Sequence, residues 1–302
     1  MNPVFRPLVD SLLRFWQTGV YFAHTASHPH GCLVRAIIAA LVCDIPGMRK
    51  VAGFAGHSAN LFCSFCKLLK NQIHNLDRDS WTPRTREGHM EDALKSSKRT
   101  GVRWSELLRL PYWNPLEFAV VDSMHNLFLN NCKNHCRKVW GMDSSDILDA
   151  IVLGEVVDDI KKTTLPSWIA APSQNIGTKK QGKLSADQWR VLCTVSLVIT
   201  LVRLWGEGGE QATSRKWLDN FLALVTAIKY ATKRSTTEES ITIVDDHLQL
   251  YLKGLVELFS RDVLTVNHHL SLHLPAFLRR LGPVHGWWTF AFERYNRHYT
   301  TF

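Results

Sequence analysis

The chain has 302 residues, of which 45% are hydrophobic, and it carries a formal net charge of +9 at pH 7. This length can bury a substantial core in one large domain or two modest ones. The pI of about 9.3 favours polyanionic partners, DNA above all. We expect no membrane span, because the nearest apolar run, Val191 to Leu204, is too short, and the N-terminus lacks the features of a signal peptide.

The sequence pattern of the first 48 residues predicts a helix followed by a buried segment. Pro7 to Phe22 has apolar residues at helical spacing. A long apolar run follows, GCLVRAIIAALVCDIPG, which ends at Asp44 and is stopped by Pro46. This run is a buried strand, or a helix followed by a strand. A carboxylate at its end can be held rigidly towards a cleft, as a metal ligand requires, and a turn-forming Asp is the alternative.

A pair of cysteines indicates zinc. Cys63 and Cys66 have the C-x-x-C spacing of half a tetrahedral site, because a short turn can aim two thiolates at one ion. The odd number of cysteines in the chain fits reduced intracellular thiols better than a disulfide framework. A pair of buried free thiols is the alternative. The sequence does not choose among the candidates for the remaining ligands, which are His57, His74, Cys132, His135 and Cys136.

Residues 71 to 103 turn polar and charged and give the best internal boundary. Their basic side chains could follow a phosphate backbone, although solvated helix faces would look similar. These side chains are Arg84, Arg86, Lys95, Lys98, Arg99 and Arg103.

The segment from 110 to 143 reads LPYWNPLEFAVVDSMHNLFLNNCKNHCRKVWGMD. An apolar run, Phe118 to Val121, ends on Asp122, and His125 follows three residues later. If a helix begins here, one of its faces presents both side chains. Asp122 also suits a helix N-terminus, so a capping Asp beside a partly buried His is the alternative.

The rest of the chain is predominantly helical by its periodicity, with a capping box at Ser185 to Gln188. The expected helices cover residues 126–140, 144–163, 185–204, 217–232 and 238–259. Near the end, Glu293 opens a segment with Arg294 and Arg297; it could face inward towards a metal, or form a surface pair with an arginine. The nearby histidines match no ligand set and are expected in the core or in polar contacts: His268, His269, His273 and His285.

Several of these segments, in this order, resemble transposases of the CACTA (En/Spm) superfamily. PYW followed by DSMHNLFL and a basic Cys/His helix carries the resemblance most clearly. The other matching phrases are FRPLVDSLLRFWQTGV, RAIIAALVCDIPGMRKVAGFAGHSANLFCSFC, LPSW, KLSADQWR, NHHLSLHLPAFLRRLGPVHGWW and FERYNR. The resemblance therefore covers most of the chain.

The resemblance implies a DDE mechanism, in which three carboxylates hold two divalent ions at a DNA phosphodiester. It implies that Asp44 and Glu293 are the second and third carboxylates, with Mg²⁺ or Mn²⁺ as the ions, and that Asp122 and His125 are an accessory pair. Asp122 as the second carboxylate stays open. The family also carries a similar C-x-x-C. Its first Asp has no match here, since Asp10 does not fit the motif, so we expect an incomplete protein that is inactive alone.

The expected fold class is α+β, mostly α, with a partial RNase H-like core and a large all-helical insertion. Residues 1–48 would be a remnant of that core, 49–110 the zinc region and basic linker, 111–280 the insertion carrying DSMH, and 281–302 the return to the core. The expected function is that of a transposase-derived nuclear or cytoplasmic protein that binds transposon ends and target DNA and can form homo-oligomers. The alternative is a helical DNA-binding or protein-interaction domain without catalysis.

Overall fold

The computed structural model describes residues 2–56, 58–95, 99–172, 175–178, 182–207, 209 and 212–299. The chain divides into two compact units: unit 1 comprises Met1–Asn71 and Asp79–Val120, and unit 2 comprises Gln72–Arg78 and Val121–Phe302. Helices dominate both units, and the described residues include one two-stranded sheet. The mostly helical α+β class is therefore confirmed. Two residues named in the sequence predictions, His57 and Lys98, lie outside the described residues, as does the side chain of Arg297.

Unit 1 combines short helices with a β-hairpin. Its elements are α1 (Asn2–Gln17), β1 (Val20–Phe22), β2 (Cys32–Val34), α2 (Ile45–Ala52), α3 (Arg86–Lys95) and α4 (Pro115–Phe118). The strands pair antiparallel, with Val20 opposite Val34. Gly31 closes the turn at φ 84°, where a Cβ would press against the carbonyl oxygen of Phe22, so only glycine fits there. The hydrophobic core of the unit gathers Val9 of α1 with Leu107, Leu110 and Trp113.

The apolar run from Gly31 to Gly47 differs from its prediction. It forms neither a long strand nor a helix: β2 takes three residues, and the chain then runs mostly without regular structure to α2. Leu41 makes a single bridge with Ala119, the two backbones exchanging hydrogen bonds through Phe118 and Val120. Side-chain burial in this run is partial, because many of its apolar residues stay half-exposed.

Unit 2 is an assembly of helices. Two π-helical segments, Met124–Cys132 and His135–Val139, follow the DSMH motif. The later helices are α5 (Ala150–Lys162), α6 (Ala186–Val191), α7 (Leu197–Trp205), α8 (Thr213–Ala231), α9 (Glu238–Leu258), α10 (Val266–Ser271), α11 (Leu274–Leu281) and α12 (Phe290–Tyr299). A π-helical segment, Leu192–Ser196, joins α6 to α7. The predicted helices of this half are confirmed, with ends that shift by a few residues.

The centre of unit 2 is built on the hairpin of α8 and α9. Asn220 of α8 donates from Nδ2 to the carbonyl of Tyr251 at 2.8 Å. Gly254 permits this close approach, because a Cβ there would collide with the Asn220 side chain. Trp140 packs nearby against the rings of His135 and Phe221.

The stretch Ala186–Trp205 is long and apolar enough to cross a membrane, with a mean hydropathy of 1.2. Half of it is buried inside the fold. Leu192, Leu197 and Leu201 are fully buried, as expected for a core helix. The length and composition of this helix therefore give only weak support to a span.

Candidate functional site

Asp122 is fully buried at the start of the first π-helical segment. Its Oδ2 accepts hydrogen bonds from the backbone N–H of His125 at 2.9 Å and from the hydroxyl of Thr289 at 2.7 Å. Its Oδ1 accepts from the backbone N–H of Thr289 at 2.8 Å. A buried carboxylate needs several donors, and Asp122 has them from two distant parts of the chain.

His125 connects this buried carboxylate to the surface. Its Nδ1 lies 2.7 Å from Oδ2 of Asp122, and its Nε2 lies 3.3 Å from Oε1 of Glu293. Asp122 favours the tautomer in which Nδ1 carries a proton, and Nε2 is the ring atom that faces Glu293. Glu293 is half-exposed, with 48% of its side chain accessible. The three side chains thus form a continuous chain of contacts from a buried carboxylate through an imidazole to a surface carboxylate.

The sequence segments DSMH and FERYNR therefore meet in unit 2. Thr289 precedes α12 and fixes the start of the helix that carries Glu293, through contacts with Asp122, which lies 167 residues earlier. Thr289 was not predicted as a site residue; the sequence offers no signal for it beyond its place four residues before Glu293. The accessory role implied for Asp122 and His125 fits this geometry. Three donors meet Oδ2 of Asp122 and one meets Oδ1, so Oδ2 is fully engaged while Oδ1 keeps one acceptor site.

Asp44 lies in unit 1 and caps α2. Its Oδ1 accepts from the backbone N–H of Gly47 at 2.8 Å, and Pro46 follows in the first turn of the helix. Its side chain is exposed. The local alternative, a turn-forming Asp, describes this geometry. The predicted ion shared by Asp44 and Glu293 stays a prediction.

In unit 1, Cys63 and Cys66 form a buried thiol pair. The backbone N–H groups of Phe65 and Cys66 point at Sγ of Cys63 from 3.3 and 3.4 Å. Such N–H groups stabilise a thiolate. A hydrogen bond with Cys63, followed by burial, raises the pKa of the Cys66 thiol far above its usual value. Both thiols cannot ionise together in this pair unless a cation joins them.

Two buried arginines lie beside the thiols. Arg84 donates from Nε to the carbonyl of Cys63 at 3.1 Å, and Arg49 donates to Ser64 at 3.2 Å and to the carbonyl of Phe62. Burial lowers the pKa of Arg49 to about 10, and the negative charge of a Cys63 thiolate opposes that shift. These cations favour the thiolate form of Cys63.

In unit 2, His269 and His273 form an imidazole pair. They stand one turn apart at the end of α10 and just beyond it, with their Nε2 atoms 3.3 Å apart. His269 is buried. Together with Cys63 and Cys66, they supply a Cys₂His₂ donor set that could hold a metal ion. The described residues hold no second group of three such side chains close enough to share an ion.

The sequence analysis missed the histidine pair as metal donors and expected these side chains in the core or in polar contacts. The missed signal is the H-x-x-x-H spacing, which places two rings on one helix face. The other candidate ligands have different surroundings. Cys136 lies 3.7 Å from Cys193 in the core of unit 2, and His135 Nδ1 contacts the hydroxyl of Tyr251 at 3.1 Å.

The prediction that basic side chains of residues 71–103 follow a phosphate backbone is wrong for Arg84. Its side chain is buried beside the thiol pair and donates to backbone carbonyls. Arg86 also donates to a carbonyl, that of Pro111, and Lys95 pairs with Glu91 at 3.7 Å. Arg103 is exposed. Part of the positive charge of residues 71–103 therefore lies in side chains that form hydrogen bonds or ion pairs within the protein.

No protein-family model matches the sequence. A search of curated proteins finds no significant match either.

Proposed function

We propose that this chain is a DNA-binding protein derived from a DDE-type transposase of the CACTA kind, and that it does not cleave DNA by itself. On this proposal, residues 1–48 and 281–302 descend from an RNase H-like core. The observation that carries the proposal is the chain Asp122–His125–Glu293. It joins two of the segments, DSMH and FERYNR, that carry the resemblance to these transposases.

The network supports a positioning role for Asp122 and His125. Asp122 is buried and accepts hydrogen bonds from both His125 and Thr289, so it holds the first π-helical segment and the start of α12 in register. His125 then holds Glu293 at the surface. A carboxylate kept in place this way suits a positively charged partner, such as a metal ion.

Two-metal cleavage needs carboxylates from three places. The resemblance offers Asp44 and Glu293, with Asp122 as the alternative second carboxylate, and it offers no match for the first. The resemblance thus supplies two of the three carboxylates that hold an Mg²⁺ or Mn²⁺ pair. Cleavage by this chain alone is therefore not expected.

The reaction that tests this function contains purified chain, Mg²⁺ or Mn²⁺ and supercoiled plasmid. We expect a band shift without nicking, both for the natural chain and for an Asp44→Asn/Glu293→Gln variant. Nicking by the natural chain that disappears in the variant would overturn the inactive assignment. A plasmid that does not shift at low salt would overturn DNA binding and favour the protein-interaction alternative.

Zinc is the proposed structural ion. The donor set of Cys63, Cys66, His269 and His273 suits Zn²⁺, because two thiolates and two imidazoles are a common structural set for it. The two arginines beside Cys63 and the N–H groups aimed at its sulfur support the thiolate form that zinc requires.

Metal analysis tests the zinc assignment. We expect about one zinc per chain, and loss of that zinc together with a lower unfolding temperature in Cys63→Ser and in His273→Asn. Cys32→Ser is the matched control, since this half-exposed thiol belongs to β2. Zinc content unchanged in both test variants would count against the assignment.

A further inference from the structure

Unit 2 contains a cleft of about 560 Å³ beside Glu293. Its volume lies in the range of sites that hold a small molecule or one unit of a polymer, roughly 300–1,000 Å³. Aromatic rings and guanidinium groups dominate its lining: Trp168, His285, Trp288, Phe290, Arg190, Arg234 and Arg294. This combination is the chemistry that recognises a planar, negatively charged ligand.

The aromatic side chains offer flat surfaces to a ligand. Trp168 is 82% exposed, which is unusual for so large an apolar side chain. Trp288 is held between two neighbours, the ring of His285 at 4.4 Å and the ring of Phe290 at 4.8 Å. A ring fixed by its neighbours loses little entropy when another ring stacks on it.

The positive charge in the cleft is partly uncompensated. Arg190 is paired with Asp187 at 2.8 Å. Among the described residues, no carboxylate lies within 4.0 Å of Arg234 or Arg294. Burial, and then the charge of Arg234, lower the pKa of His285, so its ring is neutral at pH 7 and adds no charge of its own. The two arginines are therefore available to phosphate groups.

We propose that this cleft binds one unpaired nucleotide of a DNA strand, with the base stacked on Trp168 and the flanking phosphates bound by Arg234 and Arg294. The inference rests on the DNA binding proposed above. The arginines alone would suit any anion, and the exposed indole adds the preference for a base. A base inside a duplex is already stacked on both faces, so only an unpaired one can use the indole.

The test compares two labelled DNA molecules by fluorescence anisotropy at one fixed, low salt concentration. One is a short duplex, and the other is the same duplex with a single unpaired adenosine at its centre. We expect the natural chain to bind the second DNA about fivefold more tightly or better, since stacking one base on an aromatic side chain is worth at least that factor.

Two variants remove the proposed contacts, and each has a matched control. Trp168→Ala and Arg234→Gln should bring the affinity ratio of the two DNA molecules close to one. Phe292→Ala removes another exposed ring, 55% accessible and outside the cleft, and Arg261→Gln removes another exposed arginine of unit 2. Both controls should keep the ratio of the natural chain.

The outcomes separate this inference from the function on which it rests. Tight duplex binding with equal affinity for both DNA molecules overturns the cleft and leaves DNA binding intact. A preference that persists in Trp168→Ala also overturns the cleft. Failure to bind either DNA overturns both proposals.

Discussion

Replacement of Asp122 by asparagine tests whether this buried carboxylate organises unit 2. Asparagine has the same shape, but it exchanges one acceptor oxygen for a donor and removes the charge. Oδ2 of Asp122 faces three donors, namely the N–H and Nδ1 of His125 and the hydroxyl of Thr289. If the NH₂ group of asparagine took the place of Oδ2, it would face these donors. If the amide oxygen took that place, the NH₂ group would face the N–H of Thr289 and leave it without an acceptor.

The cost follows from the burial of the group. A charged hydrogen bond is worth about 1.5–3 kcal/mol, and loss of one partner of a buried ionic pair costs about 3–5 kcal/mol. Because the contacts of Asp122 form one network, their energies do not add, and we expect unit 2 to lose about 3–5 kcal/mol. For a unit of this size, that loss lowers the unfolding temperature by on the order of 10 °C.

Thermal unfolding followed by circular dichroism measures the effect. Asp158→Asn is the matched control: Asp158 is 58% exposed and pairs with Lys161, so the same substitution should change stability by about 0.5 kcal/mol or less. An Asp122→Asn protein as stable as the control would refute the argument that this carboxylate joins DSMH to α12.

Two further predictions concern stability. Burial lowers the pKa of His135 to about 3, with the charge of His268 adding to the shift, and lowers the pKa of His268 to about 4. As the pH falls, each histidine takes up a proton in the unfolded chain before it does so in the folded chain. The stability is therefore complete above about pH 6.5 and falls towards pH 4.5 by on the order of 2 kcal/mol for each histidine. An unfolding temperature that stays constant over this range at fixed salt would contradict the burial of neutral histidines. In unit 1, Asp44→Ala should lower the free energy of unfolding by about 1 kcal/mol, because α2 loses its N-terminal cap. Asp44→Asn keeps a capping oxygen and should lower it by only a few tenths of a kcal/mol. Equal stability of the two variants in denaturant unfolding would contradict the capping role.

The sequence predicted the local features of the site better than its assembly. Asp122 and His125 stand three residues apart at a helix start, and that spacing brings them together as expected. The capping box at Ser185 is likewise present, since it depends on four consecutive residues. Nothing local indicates that Thr289 donates twice to Asp122, because that contact depends on how the helices of unit 2 pack.

Two predictions from the sequence were wrong for the same kind of physical reason. Arg84 was grouped with surface cations by charge alone, yet it is buried because the carbonyls of Cys63 and Thr100 accept its hydrogen bonds. The apolar run before Asp44 suggested a long buried element, but among the described residues only its first part, β2, pairs with a strand, and the rest makes one bridge to Ala119. In both cases tertiary hydrogen bonds, which composition does not encode, decide the outcome.

The proposed DNA binding is tested most directly by a salt titration. Purified chain is titrated against two labelled duplexes of unrelated sequence, and the logarithm of the affinity is plotted against the logarithm of the salt concentration. Each phosphate neutralised by a basic side chain contributes about −0.9 to the slope. We predict similar affinities for both duplexes and a fall of about tenfold or more between about 50 and 200 mM salt. An affinity that barely changes over this range would contradict the account, because the net charge of +9 would then play no part in binding.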